Sequence, residues 1–170
     1  MFHNPIWIKL SLLLLPFFYT SCFGKGKMGV ATMERMNLGT GEKILNFISE
    51  KNENELEALF SEEVVSTELN LEEGIRRLFE FCDGQITDYE KIVMGMEASV
   101  NNGLNATTFN TKYRFKINEV SYLLYYIYTP KNTFDSKKEG VRSIKIVKEI
   151  DSDKYFCYWN EIKPGIFIGE

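Results

Sequence analysis

The sequence predicts an α+β domain in which three N-terminal helices pack on a curved antiparallel sheet of four or five strands. Apolar residues recur at helical spacing between Thr40 and Cys82, and from Ile86 onward the period shortens to two. Helices first and strands afterwards is the order that lays helices on one face of a sheet. The composition agrees: 44% hydrophobic and 26% charged residues suit a packed core, and Gly 12 with Pro 4 is too few for a collagen-like or low-complexity chain.

Thr40 is placed to cap the first helix, whose apolar positions Ile44, Leu45, Phe47 and Ile48 follow at helical spacing. Asn52 and Asn54 break it, and a second helix carries Leu56, Leu59 and Phe60. The third opens at Asn70 with Glu73 three residues on, the spacing of a capping box. It runs through Ile75, Leu78, Phe79 and Cys82 and stops at Gly84.

The clearest strand sets Phe109, Thr111, Tyr113, Phe115 and Ile117 on a buried face against Asn110, Lys112, Arg114 and Lys116 on a wet one. Val120 to Tyr128 is apolar at nearly every position, which predicts a central strand covered on both faces. Arg142 to Ile150 alternates again, with Ile144, Ile146 and Ile150 on one side. Asn101-Asn102-Gly103 and Asn118-Glu119 are turn signals, Pro130 to Gly140 reads as a polar loop, and a last strand is expected at 155–160.

The first residues differ from all of this. Behind Lys9 runs an apolar block of about ten residues, Leu10 to Tyr19, the size of a signal-peptide core and short of the roughly 20 residues a membrane-spanning helix needs. It closes on Tyr19-Thr20-Ser21-Cys22, which resembles the lipobox of bacterial lipoproteins. There the peptidase cuts before the Cys and its thiol carries diacylglycerol. Cleavage by an ordinary signal peptidase, with Cys22 a bystander, is the alternative, because Tyr19 stands where the lipobox has Leu. The expected organisation is a signal peptide over 1–21, a lipid-anchored flexible tether over 22–38 with Gly24, Gly26 and Gly29, and the α+β domain over 39–170. Cys22 is thus the candidate anchor, and the expected location is the extracytoplasmic side of the cell membrane or outer envelope.

Loss of that segment takes the formal charge from −4 to −5, because Lys9 is its only charged residue. An acidic chain without a Lys/Arg block is not expected to bind nucleic acid. The single histidine, His3, leaves with the signal peptide, so a mature domain has no imidazole for a Ser-His-Asp or Cys-His mechanism or for a His-ligated metal. Cys82 and Cys157 sit in apolar surroundings and read as buried free thiols, a bridge between them being the alternative. Asn105-Ala106-Thr107 matches a glycosylation sequon, without a role on a bacterial reading. No cofactor, metal site or catalytic residue is assigned.

Several stretches resemble a bacterial lipoprotein family defined by the domain of unknown function 5104. They are Gly39-Thr40-Gly41-Glu42-Lys43-Ile44, Leu59-Phe60-Ser61, Leu78-Phe79-Glu80-Phe81 before Gly84, Gly140 to Ile146, Tyr158-Trp159 and Gly165-Ile166-Phe167. Helices followed by a curved sheet also look like the cystatin-like, nuclear-transport-factor-two-like cone that ketosteroid isomerase shares. The family implies an exported, lipid-anchored domain and no activity.

Two functions compete. The first is a non-enzymatic envelope lipoprotein binding a small ligand or a protein partner. The second is an isomerase- or dehydratase-type enzyme with a carboxylate and a tyrosine in the cone mouth, drawing on Asp88 with Tyr89, Tyr113, Tyr122, Tyr125, Tyr126 and Tyr128. Tyrosine at alternate strand positions is more often sheet packing, and Asp88 falls in a turn, so the first is preferred.

Overall fold

The computed structural model describes residues 28–155 and 163–169. Cys22 with the rest of residues 1–27, Cys157 and Tyr158-Trp159 lie outside them.

The chain opens with α1 (Val30–Glu50), followed by α2 (Glu53–Glu57), α3 (Glu62–Thr67) and α4 (Leu71–Phe81). The first helix begins ten residues before Thr40, so 30–38 is helix and not flexible tether. Its buried residues Met33, Asn37, Thr40, Gly41, Ile44, Leu45 and Ile48 form one stripe at helical spacing. Thr40 is mid-helix, its hydroxyl donating to the Met36 carbonyl at 2.9 Å. Gly41 is held there by packing, because a Cβ would lie 2.7 Å from both Tyr113 Cε2 and the Tyr126 hydroxyl. Lys51, in the left-handed region at φ 54°, ends the helix.

Asn52 caps α2 by accepting from the Glu55 N–H, and Ser61 caps α3 by accepting from the Val64 N–H. The single expected second helix is therefore two, with Leu59 and Phe60 in the link. At α4 the expected capping box is not formed: Asn70 makes no side-chain cap, and Glu73 instead meets Arg76 at 2.6 Å. Leu71, Ile75, Leu78 and Phe79 supply its buried face.

Four strands form an antiparallel meander: β1 (Ile86–Asn101), β2 (Leu104–Ile117), β3 (Val120–Asn132) and β4 (Gly140–Lys148). The turns fall at the expected Asn102-Gly103 and Asn118-Glu119, all four residues at positive φ as two-residue hairpins with the sheet's own twist require. Two features differ from the expected fold. A short helix, α5 (Ser152–Tyr155), follows β4, so the helices are not all N-terminal. The fifth strand, β5 (Gly165–Gly169), pairs parallel to β4, so the sheet is mixed. Parallel pairing needs a crossover, which the stretch after β4 supplies. The strand expected at 155–160 is absent at Tyr155, which ends α5, and its other residues lie outside those described. Ile150 lies in a 3-10 turn, 90% exposed, not on the strand.

The core fills the space between helices and sheet. The expected inner face of β2 is buried throughout, Phe109 and Thr111 completely and Tyr113, Phe115 and Ile117 almost so. On the other face Asn110 is buried as well, donating to Glu97 at 3.1 Å, where the period had set it in solvent. The β3 strand is covered on both sides. Tyr122, Leu124 and Tyr126 join the main core, and Leu123 and Tyr125 form a second small cluster with Val147 and Tyr155.

Candidate functional site

Two irregularities in the sheet meet beside Thr129. Pro130 has no N–H for the ladder, and at this point β3 sets two residues, Thr129 and Pro130, opposite Thr108 of β2. On the other side Arg142 is an extra residue of β4, between Val141 opposite Tyr128 and Ser143 opposite Ile127. Bulges re-aim side chains, and these two bring Thr108, Thr129 and Arg142 to one place. The region expected to be loop from Pro130 onward is thus strand as far as Asn132.

The link between α2 and α3 closes the other wall. Ser61 N–H donates to the Val141 carbonyl at 2.9 Å, and Val141 N–H donates to the Leu59 carbonyl at 2.8 Å. Gly140 allows this approach: it adopts φ +126°, and a Cβ would sit 2.8 Å from Ser61 N. The result is a cleft of ≈ 230 Å³ lined by Ser61, Glu63, Thr108, Thr129, Asn132, Lys138 and Arg142.

Its lining is rich in donors. The Thr108 and Thr129 hydroxyls are 3.0 Å apart, so one proton of the pair is left to point elsewhere. Ser61, 1% exposed, uses its oxygen to cap α3 and keeps its O–H to donate. The carboxamide oxygen of Asn132 accepts from the Phe134 and Asp135 N–H groups, which fixes its NH₂ end and holds the rim loop. Lys138 lies 3.7 Å from both Glu63 and Asp135, and Arg142 makes no hydrogen bond or ion pair within the described residues. Two cations and one carboxylate, with hydroxyl and amide donors behind them, suit a compact anion.

The residues singled out for acid/base chemistry are not assembled. Asp88 lies on β1, exposed, opposite Lys116, which is on the face of β2 away from Tyr113 and Phe115. The carboxylate and the phenols of Tyr113, Tyr122 and Tyr126 therefore occupy opposite sides of the sheet. Tyr113 stacks on Tyr126 with ring centroids 6.2 Å apart, and Tyr89, half-exposed, tilts against Tyr113 at 6.3 Å. Burial first, then the negative charge of Glu42, pushes the Tyr113 phenol up to about 12. Burial likewise raises Tyr126, whose hydroxyl donates to the Asn37 carbonyl at 2.7 Å. Tyr122 stacks on Phe115 at 5.3 Å, and Tyr125 lies on the outer face with the Lys112 ammonium 4.9 Å above its ring. Tyr128, partly buried, is raised by burial, against the lowering effect of its hydrogen bond with Thr40. Two further clefts, of ≈ 230 and ≈ 320 Å³, border Asp88, but their one guanidinium, Arg114, is engaged by Glu90 and by Glu149 at 2.7 Å. Cys82 is a buried free thiol, pushed up to about 12 by burial.

Sequence reasoning did not find the cleft. Its residues come from five segments, and the one local signal was Pro130 inside an otherwise strand-like run. Asn37 was missed too. It stands one helical repeat before Gly41 and Ile44, so extending their period backwards would have reached it.

No curated protein matches the chain. All the cleft residues fall inside the segment matched by a family model, and with residues 43–149 so matched, the chain belongs to the family described as Domain of unknown function (DUF5104).

Proposed function

We propose that the chain is an exported, lipid-anchored envelope lipoprotein, held through Cys22, whose domain binds a compact anionic ligand without turning it over. The cleft carries this reading: Arg142 and Lys138 face the hydroxyls of Ser61, Thr108 and Thr129 across ≈ 230 Å³, a volume suited to a phosphate or a small carboxylate. The donors are mounted on strands and on a helix cap stitched to β4, so they are positioned before a ligand arrives. The anchor rests on the short apolar core ending in Thr20-Ser21-Cys22. Helices laid over one face of a long antiparallel meander support a cystatin-like cone.

The test is calorimetric titration of the full chain with inorganic phosphate and with citrate. Arg142→Ala is expected to weaken the binding about tenfold, the worth of about one charge-assisted hydrogen bond. The exposed control Arg76→Ala should leave it unchanged. Absence of saturable binding to both anions, or equal affinity in the two variants, refutes the cleft assignment.

A further inference from the structure

Three contacts set the direction of α1 on the sheet. Asn37 Nδ2 donates to Thr111 Oγ1, Gly41 lies against Tyr113, and Ser49 accepts from the Ile86 N–H, opposite Ile117. A helix rises about 1.5 Å per residue and a strand about 3.3 Å, so these spacings match if α1 runs parallel to β2. Val30, seven residues before Asn37, is then level with about Thr108, and the tip of the β1–β2 hairpin projects roughly 15 Å further in the same direction. The start of the described chain and the hairpin tip thus mark one end of the molecule.

That end is apolar. Met28, Val30, Met96, Val100 and Leu104 are exposed there, Val100 by 73%. It also lacks charge along the hairpin: residues 98–111, in a chain with 26% charged residues, contain no Asp, Glu, Lys or Arg. The charges at this level lie beside the hairpin, on the β3–β4 connection, where Thr133 bonds Asn105 and the Lys131–Glu139, Lys137–Glu62 and Lys138–Glu63 pairs form. The hairpin tip beyond Asn105 carries no charge, so placing the tip alone in an apolar medium desolvates none, while the charged β3–β4 connection stays at headgroup level.

The spacing to Cys22 names the occupant. Five residues lie between Cys22 and Met28, a reach of at most about 20 Å, and Lys25 and Lys27 are among them. An acyl group on Cys22 would hold this end next to the headgroups. We infer that the β1–β2 hairpin tip and the start of α1 dock on the lipid surface, Val100 and Leu104 entering the boundary between headgroups and acyl chains. Acyl chain and apolar tip then act as two membrane signals, and the domain stands with α1 and the long strands upright. The inference rests on the lipid-anchor reading and is independent of the cleft.

The full lipidated chain is reconstituted into vesicles of phosphatidylethanolamine and phosphatidylglycerol, with and without lipids brominated on their acyl chains. Val100→Trp and Ile150→Trp are compared with wild type. Both positions are exposed, and Ile150 follows the Lys148 end of β4, at the far end of the sheet from the hairpin. The tryptophan at position 100 is expected to lose about half of its added emission to bromine, as depends on a depth of about 5–10 Å in the interface, and the one at 150 to lose none. Flotation is measured on the same samples together with Cys22→Ala. Vesicle-bound protein in which position 100 is not quenched, or in which both positions are quenched equally, overturns the docking and leaves the anchor standing. Wild type that fails to float, as Cys22→Ala should, overturns both.

Discussion

Gly39 and Gly41 sit two residues apart in the middle of α1, and alanine there should have opposite effects. A glycine inside a helix costs about 1 kcal/mol relative to alanine. At Gly39 nothing lies within 4 Å of the position a Cβ would take, so Gly39→Ala should stabilise the fold by about 0.5–1 kcal/mol. At Gly41 the same atom would sit 2.7 Å from both Tyr113 Cε2 and the Tyr126 hydroxyl. Neither ring has room to retreat, because both are buried and stacked on each other, and Tyr126 also donates to the Asn37 carbonyl. The overpacking of about 1–3 kcal/mol should exceed the helix-propensity gain, leaving Gly41→Ala less stable than wild type by about 0.5–2 kcal/mol. Equilibrium urea unfolding read by far-ultraviolet circular dichroism measures both midpoints. If Gly41→Ala is stabilised as much as Gly39→Ala, the packing of α1 on the tyrosine pair is wrong. If Gly39→Ala has no effect, the helix does not run through this segment.

Phe115→Ala should cost about 3–5 kcal/mol in the same urea assay, because the ring is 1% exposed and stacked on Tyr122; a loss below about 1 kcal/mol would mean the ring is not in the core. Stability should fall as pH rises from about 9 to 12. Cys82 and Tyr113 are both raised to about 12 in the folded chain, from 9.0 and 10.0, so the unfolded chain sheds these protons first. Their stabilising contribution is complete below the unfolded values and lost on going up through that window; Cys82→Ala should flatten the slope near pH 9–11, and an unchanged slope would contradict a buried neutral thiol.

Much of the fold is legible locally. The switch from a period of 3.6 to a period of two at Ile86, the buried face from Phe109 to Ile117 and the two hairpin turns are each specified by residues within a few positions of one another. The double burial of β3 is legible for the same reason, since an apolar residue at nearly every position leaves neither face for water. The apolar block ending in Thr20-Ser21-Cys22 is equally local, although its residues lie outside the described structure.

The remaining features were settled by contacts between distant segments. Gly39-Thr40-Gly41 reads in isolation as the start of a helix, yet it lies in mid-helix, because the Tyr126 hydroxyl binds a carbonyl 89 residues away and the glycine face accommodates two rings. Asn110 is polar and alternates outward, yet it is buried once Glu97 of the neighbouring strand accepts its amide. Asp88 and the core tyrosines Tyr113, Tyr122 and Tyr126 read as one site in a linear sequence, and the pairing of Asp88 with Lys116 sets them on opposite sides of the sheet. The cleft depends on bulges at Thr129-Pro130 and Arg142 and on the Leu59–Ser61 backbone closing over Gly140. Periodicity tells each residue which face of its own element it occupies, whereas a binding site is made where different elements meet, and that is decided only when the chain is packed.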